Sequence, residues 1–128
     1  MLLSTILALG FFQAVQPVAP SPTVTPYSVG GAVSAPRLIR RIKVTEPKRC
    51  RTSRFRPDDG AFMFRATVAE NGDVTEVKTL KAPRLEPACP DLEQAYHRAI
   101  VRWKYDPAKL HGRPVPVYLT ITSLLEPR

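Results

Sequence analysis

The chain is poor in the side chains that carry chemistry. It has only two histidines, two cysteines and one tryptophan. His97 and His111 stand apart, there is no C-x-x-C, and no third ligand lies near either cysteine, so no metal site is expected. No Ser-His-Asp, Cys-His or H-E-x-x-H arrangement is present. Asp58-Asp59-Gly60 is an adjacent carboxylate pair, but it reads as a turn. The expectation is no enzymatic activity and no cofactor. Acid is also scarce. Eleven Asp and Glu face nineteen Lys and Arg, giving a net charge of +8 that draws the protein to anionic surfaces. Nucleic acid is not the expected partner: there is no helix-turn-helix pattern, no zinc-finger spacing and no aromatic platform for RNA.

What the chain does have is proline. Fourteen prolines in 128 residues are about twice the usual share. Five of them, with Gly30 and Gly31, crowd residues 15–36, where neither a helix nor a central strand survives. Residues 20–36 therefore read as an extended tether. Ahead of it, residues 1–18 (MLLSTILALGFFQAVQPV) form an uncharged apolar run that resembles the core of a secretory signal. About 16 helical residues would span roughly 24 Å, short of the roughly 30 Å hydrocarbon core. Residues 1–19 are thus expected to be a signal peptide in preference to a short hydrophobic anchor, and the protein is expected to be exported. In an oxidising compartment, Cys50 and Cys89 form an even pair suited to a disulfide. Closing a loop of about forty residues would stabilise the fold by roughly 4 kcal/mol. The alternative is two buried thiols.

Residues 37–56 hold nine Lys or Arg and one Glu. Arg40, Arg41, Lys43, Arg49 and Arg51 form the candidate basic surface. Leu38, Ile39, Ile42 and Val44 give a short apolar strip, a strand or a first helical turn, and a helix is expected from Lys48 to about Phe55. From Gly60 the pattern sharpens. Phe62, Phe64, Ala66 and Val68 alternate with Met63, Arg65, Thr67 and Ala69, which is strand spacing. Asn71-Gly72 then predicts a type I′ hairpin turn. On the return strand Val74, Val77 and Leu80 break alternation, and a bulge near Glu76 would reconcile them.

A helix is predicted after Asp91, its expected N-cap, with Leu92, Ala95, Tyr96, Ala99, Ile100 and Trp103 as its apolar stripe and Pro107 beyond its end. His111-Gly112 makes a turn. Val115, Val117, Leu119 and Ile121 then alternate as a long strand, and Pro114 and Pro116 place its start at a sheet edge. The simplest fold is α+β: a three-stranded antiparallel sheet with one main amphipathic helix packed on one face, preceded by a short strand or helix. Trp103 and Tyr96 are expected against Phe62, Phe64, Val117 and Leu119.

Four segments taken in order, GAFMFRATV, ENGDVTEV, AIVRWKYDPA and HGRPVPV, resemble the TonB C-terminal domain family. Val29-Gly30-Gly31 with Pro36 resembles the lead-in common there. The resemblance covers about residues 28–126 and places the domain at 37–128. It implies a periplasmic protein in energy-coupled envelope transport, whose last strand takes up a peptide from an outer-membrane transporter as an added strand. Here that edge would be Val117, Tyr118, Leu119, Thr120, Ile121 and Thr122, with Tyr118, Thr120 and Thr122 tuning side-chain fit. Residues 1–20 contain no His, and the tether is shorter than the spacer of complete transducers, so the resemblance is to a stand-alone domain. Two chains could also pair through this edge as a homodimer. The competing expectation is a structural or adaptor module held to an anionic envelope surface by its basic segment.

Overall fold

The computed structural model describes Gly10, residues 24–55 and residues 60–124. The expected signal segment, apart from Gly10, and the Asp58-Asp59 pair lie outside the described residues. The strands are β1 (Tyr27–Ser28), β2 (Arg37–Arg40), β3 (Arg54–Phe55), β4 (Ala61–Val68), β5 (Val74–Lys81), β6 (Leu85–Glu86), β7 (Lys104–Asp106), β8 (Lys109–Leu110), β9 (Arg113–Pro114) and β10 (Val117–Leu124). A 3-10 helix covers Lys48–Thr52 and one α-helix, α1, covers Pro90–Ile100. The class is α+β. The main sheet has four strands in the order β1-β10-β4-β5, one more than the sequence suggests, and three two-stranded ribbons join β2 to β7, β3 to β6 and β8 to β9.

Strict alternation makes β4 the centre of the molecule. Phe62, Phe64, Ala66 and Val68 are buried while their neighbours are only partly covered. They cluster with Leu92 and Ile100 of α1, and Tyr96 lies over the rings of Phe62 (4.8 Å) and Phe64 (5.6 Å). Apolar area removed from water on this one sheet face is the main stabilising term.

The hairpin forms, but not with the predicted turn. Gly72 alone takes a positive φ (87°), and Asn71 does not, so the two-residue type I′ geometry is absent here. Instead the Gly72 N–H donates to the Ala69 carbonyl (2.8 Å), and the Asn71 side chain accepts from the Asp73 N–H (3.0 Å). A left-handed glycine closing such a turn is the next commonest hairpin solution. Gly72 is fixed doubly, because a Cβ there would stand 1.9 Å from the Tyr105 carbonyl oxygen. The two-residue turn with both φ positive occurs at His111 (50°) and Gly112 (78°), joining β8 to β9. The bulge expected near Glu76 is present as a register shift between Thr67 and Val68 of β4. A second shift lies between Met63 and Phe64, opposite Leu80, whose side chain is half exposed.

Three further expectations need correction. The helix N-cap is Cys89, not Asp91, because Pro90 supplies a preset φ at the first helical position. The helix ends at Ile100, so Trp103 lies beyond it; residues 104–106 are drawn into β7 by pairing with β2, and the Tyr105 N–H donates to the Gly72 carbonyl. Residues 48–52 form a 3-10 turn and residues 54–55 a strand, where one helix was expected. Cys50 and Cys89 form a disulfide that ties this 3-10 helix to the start of α1, with Cα atoms 5.6 Å apart. The stretch read as a tether also joins the domain from Tyr27 onward. β1 pairs in parallel with the start of β10, Val33 is buried, and the Ser34 N–H donates to the Lys109 carbonyl (2.9 Å). Among the described residues, no helix is long and apolar enough to cross a membrane.

Candidate functional site

β10 is bonded to β4 along its whole length, from Val117 opposite Val68 to Leu124 opposite Ala61, without a register shift. On its other side β1 covers only Val117 and Tyr118. The Tyr27 N–H donates to the Pro116 carbonyl at 2.9 Å, so the Pro116 carbonyl faces outward. Backbone polar groups of every second strand residue point to the same side. The N–H and C=O groups of Thr120 and Thr122 therefore face away from β4, and among the described residues no strand pairs with them.

Of the six residues predicted for this edge, two are already taken within the chain: Val117 and Tyr118 pair with β1. Val117 is fully buried, and Leu119 and Ile121 pack partly against the core. Tyr118 lies on the opposite face, with the Arg65 guanidinium 4.3 Å from its ring centre. Thr120 and Thr122 are exposed.

The open part of the edge borders a groove of about 210 Å³, whose walls include Leu38, Trp103, Ile121 and Ser123. Two polar contacts fix its shape. The Trp103 indole N–H donates to the Ile42 carbonyl (2.8 Å), and the Ser123 hydroxyl donates to the Tyr96 hydroxyl (3.1 Å). The Arg41 guanidinium covers the indole at 5.2 Å, a cation–π contact at the mouth of the groove. The sequence identified the edge but not the groove, because the groove is made by the strip 38–44 crossing in front of residues that belong to other elements.

The candidate basic residues do not act as one set. Arg40, Arg41 and Lys43 are exposed at the end of β2 and just after it. Arg49 and Arg51 sit on the 3-10 helix, and Arg49 forms an ion pair with Asp91 in the first turn of α1. Lys43 instead shares a second cleft with Arg98 and Arg102, two cations the sequence reading left on the solvent side of the helix. Their spacing of four residues, beside Ala95 and Ala99, was the available signal.

One further cluster brings together groups of catalytic type. The Thr79 hydroxyl lies 2.5 Å from Glu93 Oε1 and 2.7 Å from His97 Nε2, and His97 meets the edge of Phe64 at 5.4 Å. A hydroxyl has one proton to give. Donated to the carboxylate, it leaves the threonine oxygen to accept from the imidazole N–H. The nitrogen facing the hydroxyl then carries a proton and cannot take another. The trio acts as a brace between α1 and β5. Among the described residues, no three His, Cys, Asp or Glu side chains gather as a metal site.

No protein-family model matches the chain, and no curated protein matches its sequence.

Proposed function

We propose that the chain is an exported module of the TonB C-terminal kind. It binds an extended peptide of an outer-membrane transporter along the free part of β10, in energy-coupled transport across the envelope, and it works in the periplasm. The observation that carries this reading is the one-sided pairing of β10: complete against β4 but, among the described residues, limited to two residues on the other side. The α+β class, with Leu92 and Ile100 of α1 packed on the buried face of β4, is compatible with it. An edge with unpaired N–H and C=O groups is a template for an incoming strand. Backbone pairing at Thr120 and Thr122 supplies affinity. The groove beside Leu38, Trp103 and Ile121 receives alternate peptide side chains and supplies selectivity.

The test is a titration of isotopically labelled protein with peptides from the N-terminal segments of outer-membrane transporters. The amides of Thr120 and Thr122 are expected to shift most, with the Trp103 indole N–H. Saturating peptide that leaves these resonances unmoved would sink the reading. If the same resonances move with protein concentration alone and sedimentation gives a dimer, the edge serves a second copy of this chain instead.

A further inference from the structure

We propose that the cleft between α1 and residues 42–45 binds the phosphorylated head group and upper acyl chain of an anionic lipid. This site is separate from the β10 edge and does not depend on strand addition.

The cleft has a volume of about 390 Å³, within the range of small-molecule sites. Its rim carries Lys43, Arg98 and Arg102, and no carboxylate lines it. All three cations are exposed. The ion pairs seen among the described residues engage Arg37, Arg49 and Lys104, and Lys43, Arg98 and Arg102 are in none of them. The acidic residues of α1 are engaged elsewhere: Asp91 with Arg49, and Glu93 with Thr79 and His97. Three unopposed positive charges beside one depression suit a phosphate monoester or diester.

The floor points to a lipid in preference to a free phosphate. It is apolar, built from Ile42, Ala95 and Ala99, with Val101 at the rim. Alanines at 95 and 99 face the strip with a methyl group each, and these short side chains leave the space. Val101 keeps 44% of its surface exposed. A free phosphate gains nothing from such a floor, whereas a glycerol backbone and the first methylenes of an acyl chain bury apolar area there. No strand borders the cleft to pair with a peptide, and no aromatic ring lines it to stack on a base. Val101, exposed beside these basic side chains, can lie against acyl chains while they hold the anionic head groups.

The experiment uses the intact chain and two kinds of vesicle, phosphatidylcholine alone and an equal mixture with phosphatidylglycerol. Binding is expected to the mixture only and to weaken steeply with salt. The triple change Lys43→Glu, Arg98→Glu, Arg102→Glu is set against Lys78→Glu, Lys81→Glu, Arg84→Glu, which alters net charge equally at exposed positions on and just beyond β5. The first is expected to lose affinity roughly a hundredfold or more, and the second under about tenfold. Circular dichroism checks that both variants fold. Val101→Gln, which changes no charge, is expected to weaken vesicle binding severalfold. Equal losses from the two triples would overturn the proposal in favour of diffuse net charge. So would inorganic phosphate or an oligoglutamate peptide shifting the Arg98 and Arg102 amides as tightly as a short-chain phosphatidylglycerol.

Discussion

Two long strands flank β4 in the main sheet, β5 at its edge and β10 beneath the short β1, and they are treated oppositely. β5 carries Glu76, Lys78 and Lys81 and two register shifts against β4. Charges and bulges are the devices by which sheets discourage a foreign strand. β10 has none of them. Its eight residues, VYLTITSL, include no charge, and its register to β4 never slips. Among the described residues, only the two of β1 cover β10. Among the described residues, one edge is thus protected and the other is in register, uncharged and covered at one end alone, as the proposed strand addition requires. The contrast carries more weight than the openness of β10 alone, since it rules out a general neglect of edges.

The largest effect expected is on the protected side. Replacing Cys50 and Cys89 together by Ser removes the link between the 3-10 helix and the start of α1. Denaturant unfolding should lose roughly 4 kcal/mol. Under conditions where the variant stays folded, peptide affinity at β10 should be unchanged. A parallel loss of affinity would break the comparison, because the two edges would then not be independent.

Proline separates the two sides of β10 itself. Ile121 directs its backbone groups at β4, so Ile121→Pro removes a ladder bond inside the sheet and should cost about 3 kcal/mol. Thr120 directs its N–H outward, so Thr120→Pro should cost about 1 kcal/mol, as an edge position tolerates. Yet Thr120→Pro should reduce peptide binding at least roughly tenfold, because it removes a donor the peptide needs. Equal unfolding losses from the two substitutions would mean the outward direction of Thr120 is misassigned. A milder version converts β10 toward β5. Thr120→Lys with Thr122→Lys should leave stability within about 0.5 kcal/mol and weaken strand addition severalfold.

These features differ in how far the sequence discloses them. The alternation from Phe62 to Val68 is periodic over eight residues, and its strand follows directly. The helical stripe and the bulge near Glu76 are legible for the same reason: burial on one face leaves a period and its interruption in the order of residues. The cysteine pair was legible from composition. β1 and β7 were not, because strands of two or three residues have no period and form only through partners distant in the chain, and for the same reason the strip that forms β2 could only be narrowed to a strand or a first helical turn. That pairing also shortened the helix, since β2 claims residues 104–106, which lie between the last stripe residue, Trp103, and the expected stop at Pro107. Asn71-Gly72 misled because the dipeptide favours two positive φ values, while the five-residue loop needs only one, and Tyr105 crowds Gly72. The candidate edge was legible as alternation plus prolines. The groove and the lipid cleft were not, as each is walled by the strip 38–45 against elements more than fifty residues away.

The smallest effect expected is a matter of pH, and it too falls on one side. Asp73, at the tip of the β4–β5 hairpin, is held below its ordinary value of 3.8 by a hydrogen bond from Lys104 and by that ammonium's charge. Its folded pKa is depressed, so the pair contributes stability above the ordinary carboxylate range and loses it as pH falls through the depressed value. The window is therefore below about pH 4. Both side chains are well exposed, so added salt should shrink the effect. Asp73→Asn retains a polar side chain at the turn and removes the charge. The difference in melting temperature between wild type and this variant should be present at neutral pH and vanish in acid. A difference that persists in acid would assign the role to the hydrogen bond between Asn71 and the Asp73 side chain instead of to charge. β10 has no carboxylate along it, so the amides of Thr120 and Thr122 should exchange with the same protection across this titration. Acid would then loosen the tip of the protected half and leave the open edge as it was, as expected if the two halves of the sheet answer to different constraints.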